Sequence, residues 1–269
     1  MTPHFLAEII KTSRDMWSKG WAEANAGNIS LRLPHESTEH EAALVPTGDW
    51  VPLQERVREV AGDVYLVTGT GRFLRNIEIA PEKNLGVIEI DDRGSAYRIL
   101  WGFRPLGKPT SELLPHLRVH AARKAASENM DRAVIHTHSP NLIALSIALD
   151  LDTAKLTRLL WEMHAECLVM FPEGVEFLPW LLPGSSELAE ATAHAARARR
   201  VVVWQFHGVL AAGRSLDDAF GLIDTVEKAA LIYLKAMSAG GIRHKLSTAQ
   251  LEALAAKFDV RPDPLILHG

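Results

Sequence analysis

A chain of 269 residues, 47% hydrophobic and 23% charged, has the composition of a globular protein able to bury a sizeable core; no linker divides it, so one domain over 1–269 is expected. The net charge of −4 and pI near 6.3, with no Lys/Arg block, exclude the basic footprint of a nucleic-acid or membrane-surface binder, and any anionic ligand must be held by local groups. The single cysteine, Cys167, excludes an internal disulfide and a thiolate metal cage, so a metal site would have to use His and carboxylates.

The N-terminal Met1-Thr2-Pro3-His4-Phe5 lacks the charged and apolar regions of a signal peptide, and no apolar run approaches the ~18 residues of a membrane span, so a cytoplasmic location is expected. From Phe5 to Lys19, apolar residues at Leu6, Ile9, Ile10, Met16 and Trp17 recur at helical spacing, and Gly20 is a reasonable stop. The small residues Ala24-Asn25-Ala26-Gly27-Asn28 then form a turn before the alternating strand Ile29–Leu33. The turn reads either as a plain tight loop or as an anion-binding nest of bare N–H groups and amides.

Residues 34–62, with the run His35-Glu36-Ser37-Thr38-Glu39-His40-Glu41, read as a surface excursion with short irregular elements and no chemistry. Val64–Thr68 is a buried strand ending in Gly69-Thr70-Gly71-Arg72, a second small-residue turn whose make-up suits a phosphate, although Gly-x-Gly is also common in ordinary turns. Gly86–Ile90 and Ala96–Trp101, joined by Asp91-Asp92-Arg93-Gly94, make a hairpin and give the sheet an antiparallel part. Pro109-Thr110-Ser111-Glu112 opens a helix predicted from Ser111 to Ala126, where Glu112 reads locally as a capping or dipole-favoured glutamate.

Arg132–Ile135 leads as a strand into His136-Thr137-His138, whose imidazoles share a face if the strand continues through them. Helices follow over Asn141–Leu149 and Thr153–Trp161, then strands over Glu166–Phe171 and Val175–Leu178, which puts Glu166 at a strand mouth. An Ala-rich helix over Ser185–Arg197 precedes the strand Val201–Phe206, which ends at His207-Gly208; helices over Leu216–Ala236 and Thr248–Phe258 finish the chain.

His136, His138 and His207 thus stand at or near strand ends, an arrangement that suits a facial three-histidine set with open positions for water or substrate. A lone His207 before a glycine also reads as a turn or core histidine. The other histidines, including His116, His120 and His164, fall on predicted helix faces, loops or termini and read as solvated or supporting residues.

Taken together, Asn25–Ser30, Thr68–Gly71, Pro109–Glu112, His136-Thr137-His138 and Phe206-His207-Gly208 resemble the class II aldolase/adducin family of zinc-dependent sugar-phosphate aldolases and epimerases. Trp161-Glu162, Glu166–Val169, Phe171-Pro172, Leu178-Pro179-Trp180, Pro183-Gly184 and Phe220–Thr225 extend the likeness over nearly the whole chain, and the length exceeds that of the family's fuculose-phosphate aldolases and pentulose-phosphate epimerases. The resemblance implies an α/β fold with a mixed, largely antiparallel central sheet flanked by helices. It implies retro-aldol cleavage of L-rhamnulose 1-phosphate to dihydroxyacetone phosphate and L-lactaldehyde through a metal-stabilised enediolate. One Zn²⁺ per subunit is implied, on His136, His138 and His207, with Glu112 as acid/base and Glu166, from a neighbouring subunit, serving the C4 hydroxyl. The phosphate would lie among Gly27, Asn28, Thr70, Gly71 and Ser111, and the assembly would be a cyclic homotetramer with sites at subunit interfaces.

Two departures stand out. Thr70 replaces the family's usual serine but keeps the hydroxyl, and His164 stands two positions before Glu166, where small polar residues are usual. The rival expectations are an aldolase or 4-epimerase for another sugar phosphate, a non-catalytic adducin-like interaction domain, and a zinc hydrolase. The hydrolase leaves the two small-residue turns unexplained.

Overall fold

The computed structural model describes residues 4–34 and 44–269; the run from His35 to Glu41 lies outside the described residues. In chain order the helices are α1 (His4–Ser18), α2 (Pro81–Asn84), α3 (Leu113–Ala126), α4 (Pro140–Ala148), α5 (Thr153–Met163), α6 (Ala165–Met170), α7 (Ser186–Ala195), α8 (Leu216–Ser238), α9 (Thr248–Phe258) and α10 (Pro264–Leu267). The strands are β1 (Asn28–Leu33), β2 (Val51–Pro52), β3 (Val64–Thr68), β4 (Leu85–Ile90), β5 (Ala96–Gly102), β6 (Ala133–Thr137), β7 (Val175–Leu178), β8 (Val201–Trp204) and β9 (Gly208–Gly213). They form one nine-stranded sheet in the order β2-β5-β4-β3-β1-β6-β9-β8-β7, antiparallel throughout except for the β7–β8 pair.

Both faces of this sheet are covered, so alternate residues of each central strand enter different cores. Ile29, Leu31, Leu66, Ala133, Ile135, Val209 and Ala211 join α1 and α8 in the largest apolar cluster. On the opposite face, Tyr65, Val67 and Ile88 pack under Leu113, Leu114 and Leu117 of α3, while Val134, Val202, Trp204 and Leu210 pack with α7. Strand β1 is the exception on that second face, because Asn28, Ser30 and Arg32 point there and all are buried. Burying Ile29, Leu31 and Leu33 supplies about 1.5–3 kcal/mol each. That outweighs the cost of the polar row only if the row is hydrogen-bonded, since an unmet buried polar group costs about 1–3 kcal/mol. Arg32 donates to the Asn129 carbonyl at 2.7 Å, and Asn28 and Ser30 are bonded to groups described below.

Three expectations are corrected. Glu166–Phe171 is not a strand but part of α6 and its end: Cys167, Leu168 and Phe171 are buried at helical spacing against α5, α8 and α9, and Glu166 is exposed in the first turn. The strand predicted to reach Phe206 stops at Trp204, and an unpredicted strand, β9, follows His207 and runs between β8 and β6. Its sequence, Gly208-Val-Leu-Ala-Ala-Gly213, is poor in strand-forming side chains because the space is tight: a Cβ on Gly213 would lie 2.8 Å from the Ala219 amide nitrogen. Finally, residues 44–62 are not wholly a surface excursion, since Val57 and Val60 are buried beside Tyr65 and Leu117.

Candidate functional site

Strand β6 ends at Thr137, whose hydroxyl donates to the Trp21 carbonyl at 2.6 Å; the same carbonyl accepts the His138 N–H at 3.0 Å. His138 is therefore just beyond the strand, held by the chain segment after α1. His207 arrives in the turn between β8 and β9. That turn passes so close to β6 that a Cβ on Gly208 would lie 2.3 Å from the Thr137 carbonyl oxygen, and Phe206 is held at φ 63, left-handed backbone rare for an aromatic residue. A glycine at 208 is thus what lets His207 approach the His136–His138 pair.

The three imidazoles converge, with ring centroids 5.3 Å apart for His136–His138, 4.8 Å for His136–His207 and 5.1 Å for His138–His207. One nitrogen from each lies within 4.8 Å of the others. His136 Nδ1 donates to the Val209 carbonyl at 3.1 Å and His138 Nδ1 donates to Glu23 at 2.6 Å, which leaves Nε2 of both rings as the nitrogen with a free lone pair. His207 Nδ1 is buried without a hydrogen-bond partner. Burial, then the neighbouring His207 and His138, hold His136 well below the usual imidazole pKa; burial and His138 also lower His207. Three converging imidazoles, one of them with an orphaned buried nitrogen, are a donor set suited to Zn²⁺, which takes His nitrogen readily and in catalytic sites leaves a position open.

The same cleft, of about 210 Å³, is lined by Asn25, Gly27, Asn28, Gly69, Thr70, Gly71, Thr110, Ser111, Glu112 and the three histidines. The two small-residue turns and the start of α3 meet there for local reasons. Gly27 has φ +79, and a Cβ on it would sit 3.2 Å from the His136 carbonyl oxygen. The second turn is pinned to the segment before α3 by Thr70 N–H to the Lys108 carbonyl at 3.1 Å and Thr110 N–H to the Thr68 carbonyl at 2.9 Å. Every metal and phosphate residue predicted from sequence, together with Glu112, therefore lines one cleft. Glu166 does not; it is exposed on α6 and absent from the lining. His164 sits in the break between α5 and α6 with its Nδ1 buried and unpartnered.

Glu112 occupies the N-cap position of α3, yet its carboxylate makes no capping bond. It accepts instead from the Asn28 amide, Nδ2 to Oε2, at 2.7 Å. Asn28 is thus engaged with the carboxylate as well as lining the cleft, and behind it stand His116 and His120, both 1% exposed rather than solvated. Sequence reasoning missed this link and Glu23. The link had a signal in the i, i+4, i+8 spacing of Glu112, His116 and His120, whereas nothing marks Glu23 before the fold is known.

Burial, and to a lesser degree His136, push the His116 pKa down to about 4, against a pull upward from Glu112. Burial, aided by His116, also holds His120 well below the usual imidazole value. The unfolded chain then binds more protons than the folded one below the ordinary value of 6.5, so stability should be full above that pH and fall as pH drops toward about 4. For His116 alone the loss is on the order of 3 kcal/mol. Urea melts of metal-free protein across that range should show the midpoint falling, with a shallower slope in His116→Gln; equal slopes would mean that His116 does not stay neutral in the fold.

Comparison with known proteins agrees in extent and kind. The family described as "Class II Aldolase and Adducin N-terminal domain" matches residues 7–234. Rhamnulose-1-phosphate aldolase of Pectobacterium carotovorum (strain PC1) is 44% identical over 265 residues, 98% of this chain and 97% of that protein. The Yersinia pestis (strain Pestoides F) protein of the same name is 46% identical over 259 residues, 96% and 94% of the two chains. Among solved structures, a sugar-phosphate aldolase from Thermotoga maritima superposes with a TM-score of 0.76 at 30% identity, over 88% of this chain and 96% of that one. L-fuculose-1-phosphate aldolase from Thermus thermophilus, at 22% identity and a TM-score of 0.57 over 88% and 96% of the two chains, shares the fold. With the family model spanning most of the chain and relatives above 40% identity along nearly all of it, the protein belongs to the class II aldolase and adducin family.

Proposed function

We infer that the chain is an enzyme that cleaves L-rhamnulose 1-phosphate to dihydroxyacetone phosphate and L-lactaldehyde. The observation that carries this reading is the 44–46% identity to rhamnulose-1-phosphate aldolases over nearly the full length of both partners. The cleft supports it, because a three-histidine cluster, a carboxylate and two glycine turns are the groups such a reaction requires.

His136, His138 and His207 would hold one Zn²⁺ per subunit, whose Lewis acidity offsets negative charge developing on a substrate carbonyl oxygen. The chain's own groups do the rest. The turns at Gly27–Asn28 and Thr70–Gly71, with Ser111 and the positive N-terminal end of α3, bind the phosphate, which lets a protein of net charge −4 take an anion. Breaking the C3–C4 bond releases L-lactaldehyde as the C4 hydroxyl loses its proton, and C3 must gain one. The Glu112 carboxyl delivers the proton to C3 and accepts it in the reverse, synthetic direction. Asn28 holds that carboxylate at the cleft wall. The C4 hydroxyl proton goes to Glu166 of a neighbouring subunit, since Glu166 of the same chain does not line the cleft. That role requires an oligomer with sites at subunit interfaces, for which we propose a cyclic homotetramer, and a cytoplasmic location suits the phosphorylated substrate; among the described residues no helix is long and apolar enough to cross a membrane.

The test is a coupled assay on zinc-loaded protein given L-rhamnulose 1-phosphate. Dihydroxyacetone phosphate should appear in step with L-lactaldehyde. Its absence sinks the reading, and appearance of an epimeric sugar phosphate instead would assign a 4-epimerase.

A further inference from the structure

Behind the cleft, five polar side chains run in single file: Glu112, Asn28, His116, Ser30 and His120. Asn28 Nδ2 lies 2.7 Å from Glu112 Oε2, Asn28 Oδ1 lies 2.5 Å from His116 Nε2, and Ser30 Oγ lies 2.7 Å from His116 Nδ1 and 2.8 Å from His120 Nε2. The file exists because two repeats stay in step. Four residues of helix α3 advance about 6 Å and two residues of strand β1 advance about 6.6 Å, so Glu112, His116 and His120 interleave with Asn28 and Ser30.

Each link fixes the next. An amide has one donor end and one acceptor end, and the end that faces Glu112 depends on what holds the other. The carboxylate needs a donor, so Asn28 must present its NH₂ there and its Oδ1 to His116. That orientation requires the His116 tautomer with the proton on Nε2, which donates to Asn28 and leaves Nδ1 to accept the Ser30 hydroxyl proton. Ser30 Oγ in turn accepts the Nε2–H of His120. Every bond then points the same way, toward the carboxylate. Ser30, His116 and His120 are each 1% exposed and Asn28 is 8% exposed, so in the intact chain these groups are partnered by one another rather than by bulk solvent.

We propose that His116 is a positioning residue for the proton-transferring carboxylate of Glu112, acting through Asn28, and that Ser30 and His120 select the ring tautomer that allows it. This rests on the reading that Glu112 moves the proton. With the opposite tautomer, Asn28 would turn its carbonyl oxygen against the carboxylate, and Glu112 would leave its working place while the three histidines of the cluster and the backbone of the two small-residue turns stay where they are.

His116→Leu should lower kcat for L-rhamnulose 1-phosphate by about 10–100-fold, with KM and zinc stoichiometry close to wild type. His116→Gln, which keeps an N–H donor near the position of Nε2, should recover most of that loss, and Ser30→Ala should give a smaller fall, again in kcat. Equal losses in the Leu and Gln variants, a loss confined to KM, or unchanged kcat per zinc-loaded subunit would overturn the proposal. Nitrogen-15 NMR of the histidine rings in unmodified, zinc-loaded protein decides the matter even if a variant fails to fold. An Nε2–H tautomer at His116 is expected, and an Nδ1–H tautomer refutes the chain of bonds. If the wild-type protein cleaves no rhamnulose 1-phosphate, the substrate reading fails while the tautomer measurement still judges the hydrogen-bond chain.

Discussion

His138→Ala should yield a folded protein that no longer retains zinc and cleaves L-rhamnulose 1-phosphate slower by a factor on the order of 10³ or more, the equivalent of several kcal/mol of charge stabilisation. Among the three histidines this substitution isolates the metal best. His136 is packed against the Trp204 ring at 4.5 Å, so its removal also opens the core, and His207 depends on a strained turn. His138 lies beyond the end of β6, half-buried, with its Nδ1 tied to the more exposed Glu23, and little of the fold leans on it. Metal analysis after dialysis, paired with circular dichroism, checks the result. Stoichiometric zinc in the variant would refute the ligand set. Glu23→Gln should weaken zinc retention less, because it keeps an acceptor for the His138 Nδ1–H but loses the charge that makes the ring a better donor of its lone pair.

Glu112→Gln should give the converse phenotype: folded, fully zinc-loaded protein with turnover lowered by about 10²–10⁴, the usual contribution of a positioned general acid/base. The amide matches the carboxylate in shape and can still accept the Asn28 N–H bond that Glu112 accepts at 2.7 Å. What it loses is the capacity to carry a proton to and from C3. Exchange of the C3 proton of dihydroxyacetone phosphate with solvent isolates that step from bond cleavage, and it should fall in parallel with turnover. Near-normal exchange would move the proton carrier elsewhere.

Much of this site was legible in the chain because its parts are local signatures. His136-Thr137-His138 at the end of an apolar strand, His207 before Gly208, and two turns of small residues can each be read within a few positions, and each lines the cleft. What stayed hidden was pairwise. β9 joins His207 to the other two histidines, yet its Gly and Ala content argues against a strand until the packing around Gly213 is known. Glu112 reads as a helix-capping residue because N-terminal glutamates usually are; that Asn28 claims its carboxylate depends on β1 lying beneath α3, a contact across 84 positions of sequence. For the same reason the sequence leaves His116 and His120 open between solvated and supporting roles, and burial decides for the second. Glu166 was misplaced by its neighbours, since Cys167-Leu-Val-Met-Phe171 is as apolar as a strand, and only burial at helical spacing separates the two.

In the register of the sheet, Asn28 stands directly opposite His136. Neighbouring strands lie about 4.8 Å apart whatever their side chains. The interval between Asn28 and His136 is therefore ruled off by main-chain hydrogen bonds, and no rotamer can lengthen it; with the phosphate at Asn28 and the metal at His136, as proposed, that interval would space the two. Discrimination by how far a phosphate sits from the reacting carbonyl then belongs to the backbone. Point substitutions around the cleft should alter which aldehyde is released far more readily than which carbon carries the phosphate. Moving that carbon would take an inserted or deleted residue in β1 or β6, and a one-residue slip there would present Ile29 to the cleft in place of Asn28.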